Sequence, residues 1–162
     1  MNDLVVRNSA EVARVGKQDF VTFYLADQLL GIPVLAVHDV LNPQKLTPIP
    51  LAPDWVAGVL NLRGRIVTGV DLRDRLGIAK KDDGVKSMSI VVEHNEEPYS
   101  LQIDRVGEVL SLEDTLFQKN PKTLDPAWRS VSKGIYQLDK NLLVILDVDK
   151  LLEIEIDKVE AA

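Results

Sequence analysis

The chain has 162 residues and a net charge of −6, with no cysteine. That length bears one ordinary domain or two very small ones, and the absence of thiols excludes disulfides, thiolate metal sites and cysteine nucleophiles; a reducing, cytoplasmic setting is the reading. Through Lys80 there are 9 basic and 8 acidic residues and beyond it 10 and 17, a balance that speaks against a phosphate-binding surface and so against nucleic acid. Residues 1–18 read as an N-terminal segment with a helical piece at 10–15, but Asp3, Arg7, Glu11 and Arg14 interrupt any signal-peptide core. No apolar run approaches the ~18 residues of a membrane span.

From residue 20 onward, short runs rich in β-branched residues alternate with Gly, Pro, Asn and Asp, which predicts a mostly β protein. Strands are predicted at 20–25, 29–34, 37–41, 57–62 and 65–71, then at 89–93, 99–103, 106–110, 131–138 and 141–147. Helix is confined to a turn or two after Asp71 and to a stretch from about 149 to 159.

Five strands in each half suggest an internal duplication. Val34 to Leu41 runs in the same order of apolar and acidic residues as Ile103 to Leu110, and Gly58 precedes Asp71 by the thirteen residues that separate Gly134 from Asp147. Between these segments, Asn42, Pro43, Leu46 and Trp55 align with Asn120, Pro121, Leu124 and Trp128. The expectation is two similar five-stranded barrel lobes packed together, the first over 19–79 and the second over 88–152. A charged linker over 80–87, beginning Lys80-Lys81-Asp82-Asp83-Gly84, joins them, and a tail covers 153–162.

Chemistry is sparse. His38 and His94 stand apart from any metal-binding cluster, no Gly-rich phosphate loop or GxSxG elbow occurs, and the pairs Asp82-Asp83 and Glu96-Glu97 fall in turn-like stretches. No catalytic machinery, metal or cofactor is expected. The most informative stretch runs from Gly58 to Ile78, a hairpin in which Asn61 and Gly64 suit a turn with positive φ, Asp71 caps a following turn and Gly77 ends it. Arg73 and Arg75 read as solubility and local pairing with Asp71 and Asp74. Arg63 sits at the hairpin tip, where a side chain on a rigid scaffold is placed to meet a partner.

The run Asn61-Leu62-Arg63-Gly64, Ile66-Val67, Val70-Asp71-Leu72-Arg73 and Arg75-Leu76-Gly77 resembles the CheW-like domains of chemotaxis coupling proteins, and the resemblance extends over about 19–152. It departs where Thr68-Gly69 follows Ile66-Val67, since many members have proline there. The resemblance implies two SH3-like barrels and a non-enzymatic adaptor. Such an adaptor is cytoplasmic and recruited to membrane-associated receptor arrays, where it binds the cytoplasmic helices of methyl-accepting chemoreceptors and the regulatory domain of the histidine kinase CheA. Carried over by position, it implies a receptor-facing groove with Val37, Asp39, Arg63, Val106, Val109 and Met88. It implies a kinase-facing loop with Leu46, Thr47 and Ile49. A second kinase contact would fall in the matching loop of the other lobe, at Thr123 or Leu124. A related non-flagellar pathway, for pilus or gliding motility, is the alternative setting.

Overall fold

The computed structural model describes residues 16–79 and 87–152. In chain order the strands are β1 (Lys17–Leu25), β2 (Gln28–Pro33), β3 (Val37–Leu41), β4 (Val56–Leu62) and β5 (Arg65–Asp71), followed by a one-turn helix α1 (Leu72–Arg75). Then come β6 (Met88–His94), β7 (Glu97–Ile103), β8 (Arg105–Glu113), a one-turn helix α2 (Pro126–Arg129), β9 (Ser132–Gln137) and β10 (Leu142–Leu146). Residues 148–152 are helical. The helical piece expected at 10–15, the body of the linker, and the remainder of the C-terminal stretch lie outside the described residues. No helix among the described residues is long and apolar enough to cross a membrane.

The strands form two five-stranded sheets, ordered β8-β1-β2-β10-β9 and β3-β6-β7-β5-β4. Adding five to each strand number of the first order, and counting past ten from one, yields the second. The two halves therefore fold alike, but each sheet draws strands from both. The expectation of one lobe over 19–79 and another over 88–152 is corrected on this point. The parallel pairings β2 with β10 and β5 with β7 are the physical reason, because two parallel neighbours need a long crossover between them and a remote half of the chain supplies it.

Local chemistry sets the hairpins. Leu62 pairs with Arg65 across a two-residue turn in which Arg63 has φ 52° and Gly64 φ 85°, while the Asn61 side chain accepts a hydrogen bond from the Gly64 N–H at 3.0 Å. His94 pairs with Glu97 across Asn95 (φ 51°) and Glu96 (φ 67°). Both have the two positive φ values whose twist matches that of paired strands. As expected, Asp71 accepts from the Arg73 and Asp74 amides at the start of α1, and Gly77 follows the helix at φ 72°.

Alternation along the strands puts the main core between the sheets. Phe23, Leu25, Leu30 and Ile32 of one sheet meet Val70, Ile90, Val92, Leu101 and Ile103 of the other, and Leu72, Leu76, Leu151 and Leu152 close the ends. Each such side chain stabilises the fold by about 1.5–3 kcal/mol when fully buried. A smaller cluster of Phe20, Leu29, Tyr136, Leu143 and Ile145 fills the other face of the first sheet.

A bidentate pair spans the sheets. The Arg73 guanidinium donates from Nε to Asp104 Oδ1 at 2.9 Å and from its terminal nitrogen to Oδ2, and Asp104 also accepts from the Ala26 N–H at 2.7 Å. The bidentate partner of Arg73 thus lies thirty-one residues away, while Asp71, whose carboxylate accepts from the Arg73 and Asp74 amides, adds a smaller attraction. Arg75 reaches toward the Leu151 carbonyl.

Candidate functional site

The β4–β5 hairpin holds Arg63 at φ 52°, a region costly for a side chain other than glycine, and leaves its side chain 77% exposed. Its guanidinium donates to Asp39 Oδ2 on β3 at 2.9 Å. Alongside lies a depression of about 160 Å³ whose rim carries His38, Arg65, Glu93 and Pro98. His38 Nε2 stands 3.9 Å from Glu93, and Arg65 donates to the Glu96 carbonyl at 3.2 Å. The surface is mixed in charge and open, shaped to meet a complementary polar partner rather than to enclose a small substrate.

Of the side chains expected in a receptor-facing groove, the structure brings Asp39 and Arg63 into direct contact. Val37, Met88 and Val106 are half-buried and pack against the core between the sheets. Val37 and Met88 lie in one sheet, on β3 and β6, and Val106 lies on β8 of the other. Val109, also on β8, is 62% exposed and stands opposite Val21. Its counterpart in the first half, Val40, is also exposed.

The loop before β4 is fastened to the sheet by its backbone. Thr47 and Val59 exchange two hydrogen bonds, at 2.8 and 2.9 Å. Leu46, assigned by resemblance to the kinase-facing loop, lies half-buried over Gly58 and Gly69, where its side chain would be 3.1 Å from a Cβ built on either glycine. Thr47 and Ile49 are exposed. Leu51, which the sequence reading passed over, is fully exposed at φ 60°. Its signal was present, an apolar residue amid Pro48, Pro50 and Pro53.

The matching loop of the second half is fastened the same way, through Gln118 and Ile135 at 2.9 and 2.8 Å. Phe117 lies over Gly134 as Leu46 lies over Gly58, so Phe117 is the true counterpart of Leu46. The alignment of Leu46 with Leu124 is corrected, because Phe117 stands seventeen residues before Gly134 and Leu46 only twelve before Gly58. Leu124 packs half-buried on the main core. Trp55 and Trp128 are likewise not equivalent: the Asp71 amide donates to Trp55 and the Asp147 amide to Val131, while Trp128 donates from its indole to the Leu76 carbonyl. Phe117 and Leu116 are exposed, and the Phe117 ring lies 5.4 Å from that of Tyr136. Together with Phe20, Pro33 and Lys133 these rings border a depression of about 360 Å³.

Titratable groups inside the fold are few. Burial raises the Tyr99 and Tyr136 hydroxyls above the usual tyrosine value, with nearby Glu97 and Asp114 adding to it. Hydrogen bonding to Asp104 raises Arg73 despite its partial burial. His94 is buried with Nδ1 at 3.1 Å from Asp149 and Nε2 at 3.2 Å from the Asn95 amide, which ties the β6–β7 turn to the C-terminal helical residues. Among the described residues no group of three or more His, Cys, Asp or Glu side chains is arranged to hold a metal.

Comparison with known proteins follows the same lines. A family model described as the CheW-like domain matches residues 19–155. The chain is 27% identical over 148 residues to a chemotaxis protein CheW of Rhizobium meliloti, covering 91% of this chain and 96% of that one. It is 31% identical over 135 residues to the CheW of Thermotoga maritima, covering 83% and 87%. Protein PilI of Pseudomonas aeruginosa is 26% identical over 122 residues, covering 75% and 68%. The crystal structure of the scaffolding protein TtCheW from Thermoanaerobacter tengcongensis superposes with a TM-score of 0.75 at 31% identity, covering 84% of this chain and 92% of that one.

Proposed function

This chain belongs to the CheW-like domain family, and on that premise we propose that it is a non-enzymatic adaptor of chemotaxis. It couples the cytoplasmic helices of chemoreceptors to the regulatory domain of the histidine kinase CheA. It works in the cytoplasm, recruited to membrane-associated receptor arrays. The observation that carries the reading is the Asp39–Arg63 pair, an exposed cation held at a strained hairpin tip by a carboxylate from another strand. A tip of that kind sets the register of a helix laid beside it through charge, while exposed Val109 and the flanks of Val37, Met88 and Val106 supply apolar contact.

The kinase surfaces are the two fastened loops. Ile49 and Leu51, with Thr47 beside them, form one, and Leu46 supports it from beneath; Phe117 and Leu116 take the role first assigned to Leu124 in the other. Exposed apolar side chains on anchored loops are what modest, repeated protein contacts need, and array multivalency multiplies their affinities.

Titration of the protein against a receptor cytoplasmic fragment and against the CheA regulatory domain, separately and together, tests the reading. A ternary complex is the expected result, and failure to bind the kinase domain would overturn it. The likeness to protein PilI favours a second setting, a related non-flagellar pathway of pilus or gliding motility. The kinase that co-purifies from the native cell distinguishes the two.

A further inference from the structure

Half of the strand pairings among the described residues join the first half of the chain to the second: β1 with β8, β2 with β10, β3 with β6 and β5 with β7. The remainder are hairpins inside one half, β1 with β2, β4 with β5, β6 with β7 and β9 with β10. Within residues 16–79, therefore, no ladder connects the β1–β2 hairpin to β3 or to the β4–β5 hairpin. Everything that completes them lies in residues 87–152. Side chains repeat the pattern: Gln28 donates to the Leu142 carbonyl at 2.7 Å, Trp128 to the Leu76 carbonyl at 3.0 Å, and Arg73 to Asp104. Each half is an open template for the other, and the two are joined covalently only once, through 80–86.

We propose that the surface each half offers also accepts the corresponding half of a second copy of this chain, giving a reciprocally exchanged dimer. In it β1–β5 of one copy are completed by β6–β10 of the other, and the converse. Every ladder and cross-half hydrogen bond described above recurs unchanged, so the choice between monomer and dimer is set by concentration rather than by new contacts. A short tether holds its two ends at an effective concentration in the millimolar range, and exchange gains ground as the chain concentration during folding nears that value. The product carries two Arg63 tips and two pairs of kinase-type loops on one short double tether. It is a bivalent form of the same surface set.

The cysteine-free sequence makes the exchange readable. Asp19 on β1 stands directly opposite Ser111 on β8, and both are exposed. Opposed residues of an antiparallel pair have Cα atoms about 4.5–5.5 Å apart, within the reach of a disulfide. The full chain carrying Asp19→Cys and Ser111→Cys is unfolded in urea, refolded at concentrations from about 1 μM to about 1 mM, the range that brackets the tether's effective concentration, and then oxidised. Non-reducing electrophoresis with a free-thiol assay is expected to show a disulfide-closed monomer at the dilute end. At the concentrated end a covalent dimer with no free thiol should appear, its share rising at least tenfold. A share that stays flat across the series, or that either single-cysteine variant reproduces, overturns the proposal. The unmodified chain taken through the same series and sized by light scattering gives a second readout: a dimer that persists on dilution supports exchange, and monomer throughout overturns it.

Discussion

Arg73 and Asp104 lock the two sheets together, the guanidinium reaching from the helical turn after β5 to the residue at which the chain crosses from β7 to β8. Each side chain is only 16% exposed, so water screens the pair weakly. Removing one partner leaves the other partly buried and without its bidentate counter-charge. Arg73→Ala or Asp104→Ala is expected to cost about 2–4 kcal/mol in urea unfolding, with the double variant losing much less than the sum. Because hydrogen bonding raises the Arg73 pKa above its unfolded value, the contribution is complete below that value and fades only as pH climbs through the folded one. The loss in Arg73→Ala should thus be the same at pH 7 and pH 9.

Alkali acts through tyrosine first. Burial raises Tyr99 and Tyr136, so the neutral forms are favoured by folding. Their contribution is full below the unfolded tyrosine pKa and is lost as pH rises through the folded values. Ultraviolet titration should show these two hydroxyls ionising later than free tyrosine. Denaturant midpoints should fall above about pH 10, and Tyr136→Phe should reduce that fall.

Gly58 and Gly134 test the anchoring of the two loops. A Cβ would come within 2.7 Å of the Thr47 carbonyl oxygen in the first case and 2.5 Å of the Gln118 carbonyl oxygen in the second, at φ 139° and 159°. Gly58→Ala and Gly134→Ala should each cost about 2–3 kcal/mol. Hydrogen exchange should show the Thr47 and Val59 amides opening in the first variant, and the Gln118 and Ile135 amides in the second.

The two proposed surfaces should separate by mutation. Arg63→Glu and Val109→Glu are expected to weaken receptor-fragment binding about tenfold or more while leaving thermal stability and kinase-domain binding nearly unchanged. Leu51→Glu and Leu116→Glu should do the converse. Isothermal titration with each partner reads both, and a swap of the effects would exchange the assignments. Val37→Glu and Leu46→Glu are poor probes, because their half-buried side chains would perturb the fold itself.

Much of this was legible in the amino-acid order. All ten strands were, with Val37–Leu41 and Arg65–Asp71 found at their expected ends, because period-two alternation bounded by Gly, Asn and Asp is a local signal. Which strands share a sheet was not, since alternation tells a strand which face to bury and not which neighbour to take. Leu124 was misplaced for a related reason. Loop length differs between the halves, and only the contact of Phe117 with Gly134 shows where the equivalence lies. The Arg73 partner also escaped a local reading, since a charge pair across thirty-one residues leaves no mark in spacing.

The interleaving of the halves bears on how the chain is born. Val21 must find Val109, and Leu29 must find Leu143, so the first sheet is not finished until β10, the last strand, has left the ribosome, whereas the second is complete with β7. At about 5–20 residues per second, the β1–β2 hairpin waits roughly 4–16 s for β8 with both edges open. During those seconds the nascent chain depends on whatever shields bare strand edges in the cell.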